Sequence, residues 1–206
     1  MNHPATRFVL IRHAHVDTGT PPGCLCGWLD LPLSAEGERQ LVALRARTLV
    51  RERPAALYTS TLRRSLAVAA ALSEIWSLPW HALDELREIN CGELEGERID
   101  VLTREQPALI ARNHAQLDDD FTWPGGESYR QLRKRTLLTL SQIAAQHPAQ
   151  RIVIVTHAGV IAQVIGVLKG RRPAEWQPDR PAPLSATEVT WANGAPHALL
   201  SFGSME

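Results

Sequence analysis

The sequence lacks net charge: Lys plus Arg and Asp plus Glu each total 22 in a chain of 206 residues. That argues against bulk attraction to nucleic acid or an anionic membrane, while a local basic pocket stays open, and a small-molecule partner is expected. Cysteine is sparse and odd in number, with only Cys24, Cys26 and Cys91. Cys24 and Cys26 sit too close together for an easy disulfide, which excludes a stapled secreted scaffold, and no further ligands stand beside them at metal-site spacing. Free thiols in a reducing cytosol, with no metal and no cofactor, are the expectation. A long apolar run is missing too. The most apolar stretch, residues 152–168, contains Thr156, His157 and Gln163 and breaks at Gly159. It reads as strand, turn and helix rather than a membrane span. Residues 1–7 are polar, without an apolar signal core.

What is present is the material of one globular domain, residues 1–206. Residues 8–11 form a continuous apolar run of strand length, fit for burial on both faces. A Gly- and Pro-rich loop at 18–27 follows. Residues 33–50 then read as a helix capped by Ser34, with Leu41, Leu44, Ala46 and Leu49 on its apolar face. "AALYTS" is a second strand, and the next helix opens with Ser or Thr. Residues 85–126, with the acidic triplet Asp118, Asp119 and Asp120, read as an insertion of loops and short helices over the site, the triplet being a solvated loop. A long amphipathic helix comes next, its core side carrying Leu132, Leu137, Leu140, Ile143 and Ala144. Glu127 and Ser128 are placed to cap it. "RIVIV" is a third strand, followed by a helix stopped by Gly170, a loop with four prolines at 171–183, and two closing strands. Alternating strands and helices predict an α/β fold with a mostly parallel sheet.

Two stretches echo one another, "FVLIRHAH" and "RIVIVTHAG". Each is a buried-looking strand ending in histidine. In an open parallel sheet, ligands bind at the carboxyl ends of the strands, so His13 and His157 are expected to face one crevice. A lone histidine there would more commonly satisfy a backbone carbonyl; two matched cases favour a site. Arg12 ends a buried strand, where a guanidinium without an anion is costly. Arg63 and Arg64 start the helix after the second strand, where backbone N–H groups also favour anions. Such a set suits a tetrahedral anion.

In these blocks the chain resembles the histidine phosphatase superfamily, which includes cofactor-dependent phosphoglycerate mutase. The family's opening Arg-His-Gly is met by "RHA", its Ser-x-Leu-x-Arg by "YTSTLRRS" with the arginine at Arg64, and its glutamate block by "ELREINCGELEG" with the acid at Glu88. "GWLDLPLSAEGERQ", "WPGGES" and "VTHAGVI" complete an ordered series from about residue 8 to 161. The resemblance implies a three-layer α/β/α sandwich and a phosphatase acting on a small phosphate monoester. His13 would be the nucleophile, Glu88 the general acid, and Arg12, Arg64 and His157 the clamp on the transferring group, with Thr156 and Trp28 as further substrate contacts. A homodimer through the sheet edges is compatible with such folds. Ala14 replaces the family's glycine, which a right-handed backbone tolerates and a positive φ does not. His15 has no role in this reading beyond an exposed loop histidine.

Three alternatives compete with hydrolysis. Mutase-type return of the phosphoryl group uses the same mechanism, but the short middle segment favours access of water. A metal hydrolase built on the His-x-His of His13 and His15 would have Arg12 repelling its cation. A non-catalytic binder needs the arginines, yet has no use for a nucleophile and an acid. Of the six tryptophans, Trp28 and Trp123 are expected at the substrate mouth, and Trp76, Trp80, Trp176 and Trp191 in the core or a subunit contact. Cys91 lies close behind Glu88, but no base that would activate its thiol is evident.

Overall fold

A computed structural model describes residues 5–20, 22–44, 46 and 52–204. Its six strands are β1 (Thr6–Arg12), β2 (Ala56–Ser60), β3 (Trp80–Leu83), β4 (Arg151–Thr156), β5 (Ala186–Ala192) and β6 (Ala195–Ser204). They form one sheet in the order β3-β2-β4-β1-β5-β6. β1, β2, β3 and β4 run parallel, and β5 and β6 add an antiparallel edge beside β1. The helices are α1 (Ala35–Leu44), α2 (Arg63–Trp76), α3 (Ile99–Glu105), α4 (Pro107–Ala115), α5 (Tyr129–Gln146) and α6 (Ala158–Leu168).

Strand alternation divides the β-branched runs between two cores. Phe8, Leu10, Ile152 and Ile154 join Leu140 and Ile143 of α5 and Ile161 and Val164 of α6 on one side of the sheet. Val9, Ile11, Val153 and Val155 join Leu44 of α1 and Val68 and Leu72 of α2 on the other. Because side chains of a strand point alternately to opposite faces, a continuous apolar run needs helices on both sides. The sandwich follows. Around Phe121, Trp123 and Tyr129 a third, smaller cluster forms the core beneath α3 and α4.

Local sequence sets the boundaries. Ser34 accepts the Gly37 N–H at 3.1 Å and caps α1. Ser128 and Gln131 cap α5 reciprocally; Glu127, expected to share that task, instead pairs with Arg135 at 2.7 Å. The N-cap of α2 is Leu62, without a side-chain bond, rather than a Ser or Thr; Asp30 from another loop accepts the Arg63 N–H at 2.7 Å. β3 was not expected, and Trp80 on it is exposed rather than core. Trp76 and Trp191 are buried. Leu49 and the end of the expected first helix lie outside the described residues. Asp119 is not a freely solvated member of its triplet, since its carboxylate accepts the Ala174 N–H at 3.0 Å. Among the described residues no helix is long and apolar enough to cross a membrane.

Candidate active site

β1 and β4 are parallel neighbours, so the residues just past their carboxyl ends meet. The His13 N–H donates to the Thr156 carbonyl at 2.9 Å, and the rings of His13 and His157 lie 5.1 Å apart, centroid to centroid. His13 Nδ1 stands 2.7 Å from the Ala14 carbonyl oxygen. A carbonyl only accepts, so Nδ1 carries the hydrogen and Nε2 the lone pair. Burial, then the charges of Arg64 and Arg12, hold the His13 pKa well below that of an ordinary imidazole. Neutral His13 therefore presents an unprotonated Nε2. Ala14 does this without strain: its φ is not positive and its methyl is buried in the α1–α2 core.

His157 is fully buried. Its Nε2 is 2.8 Å from Ser60 Oγ, which also accepts the Leu62 N–H at 3.3 Å. With the Ser60 hydroxyl donating to Nε2, the hydrogen of His157 falls on Nδ1, a buried atom with no protein partner. Burial first, then Arg64 and His13, push the His157 pKa well down. Arg64 is buried by contacts to the Leu29 and Gly27 carbonyls, each at 2.7 Å, and its Nε is likewise unpartnered. Arg63, beside it, is exposed and turned outward. Arg12 donates from Nη1 to the Pro181 carbonyl at 2.8 Å and leaves its Nε without an acceptor. Burial, then Arg180, lower its pKa to about 10, with Glu88 opposing. Two buried guanidinium N–H groups and the Nδ1 of His157 thus lack a protein partner, in residues whose charge or ring bears on His13. Buried donors are rarely orphaned, so the arrangement fits an anion with several oxygens.

Glu88 comes from the segment after β3. Its Oε2 accepts the Gly159 N–H at 3.0 Å, in the first turn of α6, and its Oε1 accepts the Ile89 N–H at 3.0 Å. A Cβ on residue 159 would stand 2.2 Å from Glu88 Oε1, so only glycine leaves room for the carboxylate. The backbone behind Glu88 is held by one guanidinium. Arg135 donates to the carbonyls of Glu85, Arg87 and Glu88 at 2.7, 2.8 and 2.9 Å while chelating Glu127.

A cavity of about 340 Å³ opens beside these groups, lined by Arg12, His13 and Glu88 together with Trp123, Trp176 and Arg180. Arg180 and Trp176 were not anticipated at the site, and Trp176 had been expected in the core or a subunit contact. Both belong to the proline-rich loop, whose fold follows from Asp179. That carboxylate is fully buried and pairs with Lys169 at 2.6 Å and Arg171 at 2.9 Å. The available signal was the lone "DR" between prolines. Leu184 closes the same loop at φ 54°, its N–H 3.1 and 3.2 Å from the Arg12 and His13 carbonyls.

Of the expected substrate contacts only Arg12 lines the cavity: Arg64 and His157 are buried and absent from its lining, and Thr156 and Trp28 are engaged elsewhere. The Thr156 hydroxyl donates to the Leu86 carbonyl at 2.7 Å and is buried. Trp28 lies in an outer groove, where its Nε1 donates to the Glu88 carbonyl at 2.8 Å. Trp28 therefore braces the Glu88 segment from behind. His15 is exposed and bonded to Ser34 at 2.7 Å. All three cysteines are free and line the cavity. Burial pushes the Cys26 thiol up to about 11 and raises Cys91 further, so neither offers a thiolate near neutrality.

The depressed histidines have a consequence for stability. Between their folded pKa values and about 6.5, the unfolded chain binds protons that the folded chain refuses. Stability is fully present above about pH 6.5 and falls with acid, by up to about 1.4 kcal/mol per pH unit for each histidine. Urea unfolding at pH 7.5, 6.5 and 5.5 checks this: the expected loss lies between the last two, and His13→Asn should roughly halve it.

Residues 8–202 match the histidine phosphatase superfamily (branch 1). The chain is 31% identical over 160 residues to a metal-independent phosphoserine phosphatase of Arabidopsis thaliana, a match covering 77% of this chain and 67% of that protein. It is 29% identical over 180 residues to the glucosyl-3-phosphoglycerate phosphatase of Mycolicibacterium vanbaalenii, covering 82% and 77%. The native structure of mycobacterial glucosyl-3-phosphoglycerate phosphatase superposes with a TM-score of 0.84 at 25% identity, over 97% of this chain and 99% of that one. The family match spans nearly the whole chain, and the chain belongs to branch 1 of the histidine phosphatase superfamily.

Proposed function

We propose that the protein hydrolyses a small phosphate monoester through a phosphohistidine on His13. The observation that carries this reading is the trio of unpartnered donors, Arg12 Nε, Arg64 Nε and His157 Nδ1, in residues whose charge or ring bears on a histidine fixed in its nucleophilic tautomer. The Nε2 lone pair attacks phosphorus as the ester P–O bond breaks, and Glu88, in its protonated form, gives its proton to the departing alcohol oxygen. Water then attacks the phosphohistidine and loses a proton to Glu88. The N–P bond breaks and its electron pair returns to Nε2. The three donors stabilise the equatorial oxygens throughout. A mutase would return the phosphoryl group to a second hydroxyl; the phosphatase relatives support hydrolysis. The free thiols suit a reducing, cytoplasmic setting, and edge strands β3 and β6, with Trp80 and Phe202 exposed, are where a homodimer would pair. The direct test is release of inorganic phosphate from p-nitrophenyl phosphate by wild type, with none above background from His13→Ala.

In this reading Arg135 is a positioning residue, because it holds the backbone that presents Glu88. Arg135→Gln is expected to lower kcat/KM on alkyl phosphates by roughly 10–100-fold, the scale of a misplaced catalytic group. Its effect on kcat/KM for p-nitrophenyl phosphate, which reports a first step needing no proton, should be several-fold smaller. A purely structural role would lower both alike.

A further inference from the structure

The alcohol side of the cavity has a chemistry of its own. Trp123, Tyr129 and Trp176 line it, with Ile89, Ile99 and Leu132. Beside them stand the uncharged polar side chains of Asn113 and Gln177 and the imidazole of His114. The rings are held in place: Phe121 packs edge-on against Trp123 at 5.0 Å and stacks with Tyr129 at 6.0 Å, and Tyr129 lies 6.3 Å from Trp176. The Tyr129 hydroxyl is occupied, donating to Asn113 Oδ1. The charges are one-sided. Arg12 and Arg180 line the cavity as cations, and Glu88 is the one carboxylate among the lining residues. That carboxylate already accepts two backbone N–H groups, and the mechanism requires it at the leaving oxygen. Among the described lining residues there is thus no spare acid to pair with an ammonium group, whose burial without a partner is costly.

We infer that the alcohol half of the substrate is apolar and ring-bearing, lying against the Trp123–Tyr129–Trp176 wall, and that ammonium-bearing esters are disfavoured. This rests on the phosphatase reading and sharpens it, since several relatives are named for phosphoserine. The assignment differs from that name because of the wall and the missing counter-charge.

The test compares kcat/KM for 2-phenylethyl phosphate, glycerol 3-phosphate and O-phospho-L-serine. All three release primary alcohols, and phenylethanol is not the best leaving group among them, so a preference for it reports binding. The expected advantage over the other two is roughly 10–100-fold, the range for burying one ring. Trp176→Ala, at a half-buried site, should shrink that ratio by about 10-fold. Equal kcat/KM for the three, or a preference for phosphoserine, overturns the inference and leaves the phosphatase reading standing. Failure to hydrolyse any of them or p-nitrophenyl phosphate overturns both.

Discussion

Replacing His13 with alanine is expected to lower kcat by more than about 10³-fold on every phosphate ester, the scale of losing a nucleophile. The side chain sits where no neighbour can substitute for it. His157, 5.1 Å away between ring centroids, has its Nε2 committed to Ser60. The thiols that line the same cavity are held protonated by burial. His15 is exposed and engaged with Ser34. The donors lacking acceptors belong to Arg12, Arg64 and His157 and remain in the variant, so binding of inorganic phosphate should survive within a few-fold. Steady-state kinetics with isothermal titration against phosphate separates the two effects. Loss of phosphate binding together with activity would point to collapse of the pocket instead.

Glu88→Gln should split substrates by leaving group. The amide keeps the shape and retains an oxygen for the Gly159 N–H, but it has no proton to give. Alkyl phosphates are expected to lose about 10²–10⁴ in kcat, the usual contribution of a positioned acid. With p-nitrophenyl phosphate the first step needs no acid, whereas the second still needs a base for water. The phosphoenzyme should then accumulate, giving a burst of p-nitrophenol equal to the enzyme concentration before a slow steady state. Stopped-flow absorbance reads this directly. An equal loss on both substrate types, without a burst, would remove Glu88 from proton transfer.

The sequence disclosed the centre of the site because strand ends are strongly marked in it. β1 and β4 contain continuous apolar runs, and a parallel sheet forces their carboxyl ends to one edge, so His13 and His157 were readable as partners. Arg64 and Glu88 became readable through ordered motifs rather than periodicity. β3 was hidden because it is short, mostly exposed and on an edge, so its residues show no apolar alternation. Arg180 and Trp176 were hidden because a proline-rich loop has no period; their position depends on the buried ion pairs of Asp179, which only the folded chain displays. The direction of the Thr156 side chain was not legible, because adjacency to His157 does not fix where it points, and its hydroxyl is bonded to the Leu86 carbonyl. Ala14 carried the opposite surprise. The family's glycine suggests a special conformation, yet this backbone needs none there, and the added methyl joins the core beside His13.

The central claim is a covalent intermediate on one nitrogen of one residue. Rapid quenching of the Glu88→Gln protein with phosphorus-labelled p-nitrophenyl phosphate, followed by peptide mapping, tests it most directly. The account predicts close to one label per chain, stable in base, labile in acid and confined to the peptide bearing His13. Label on a serine or cysteine peptide, or steady turnover with no label at any quench time, would contradict it.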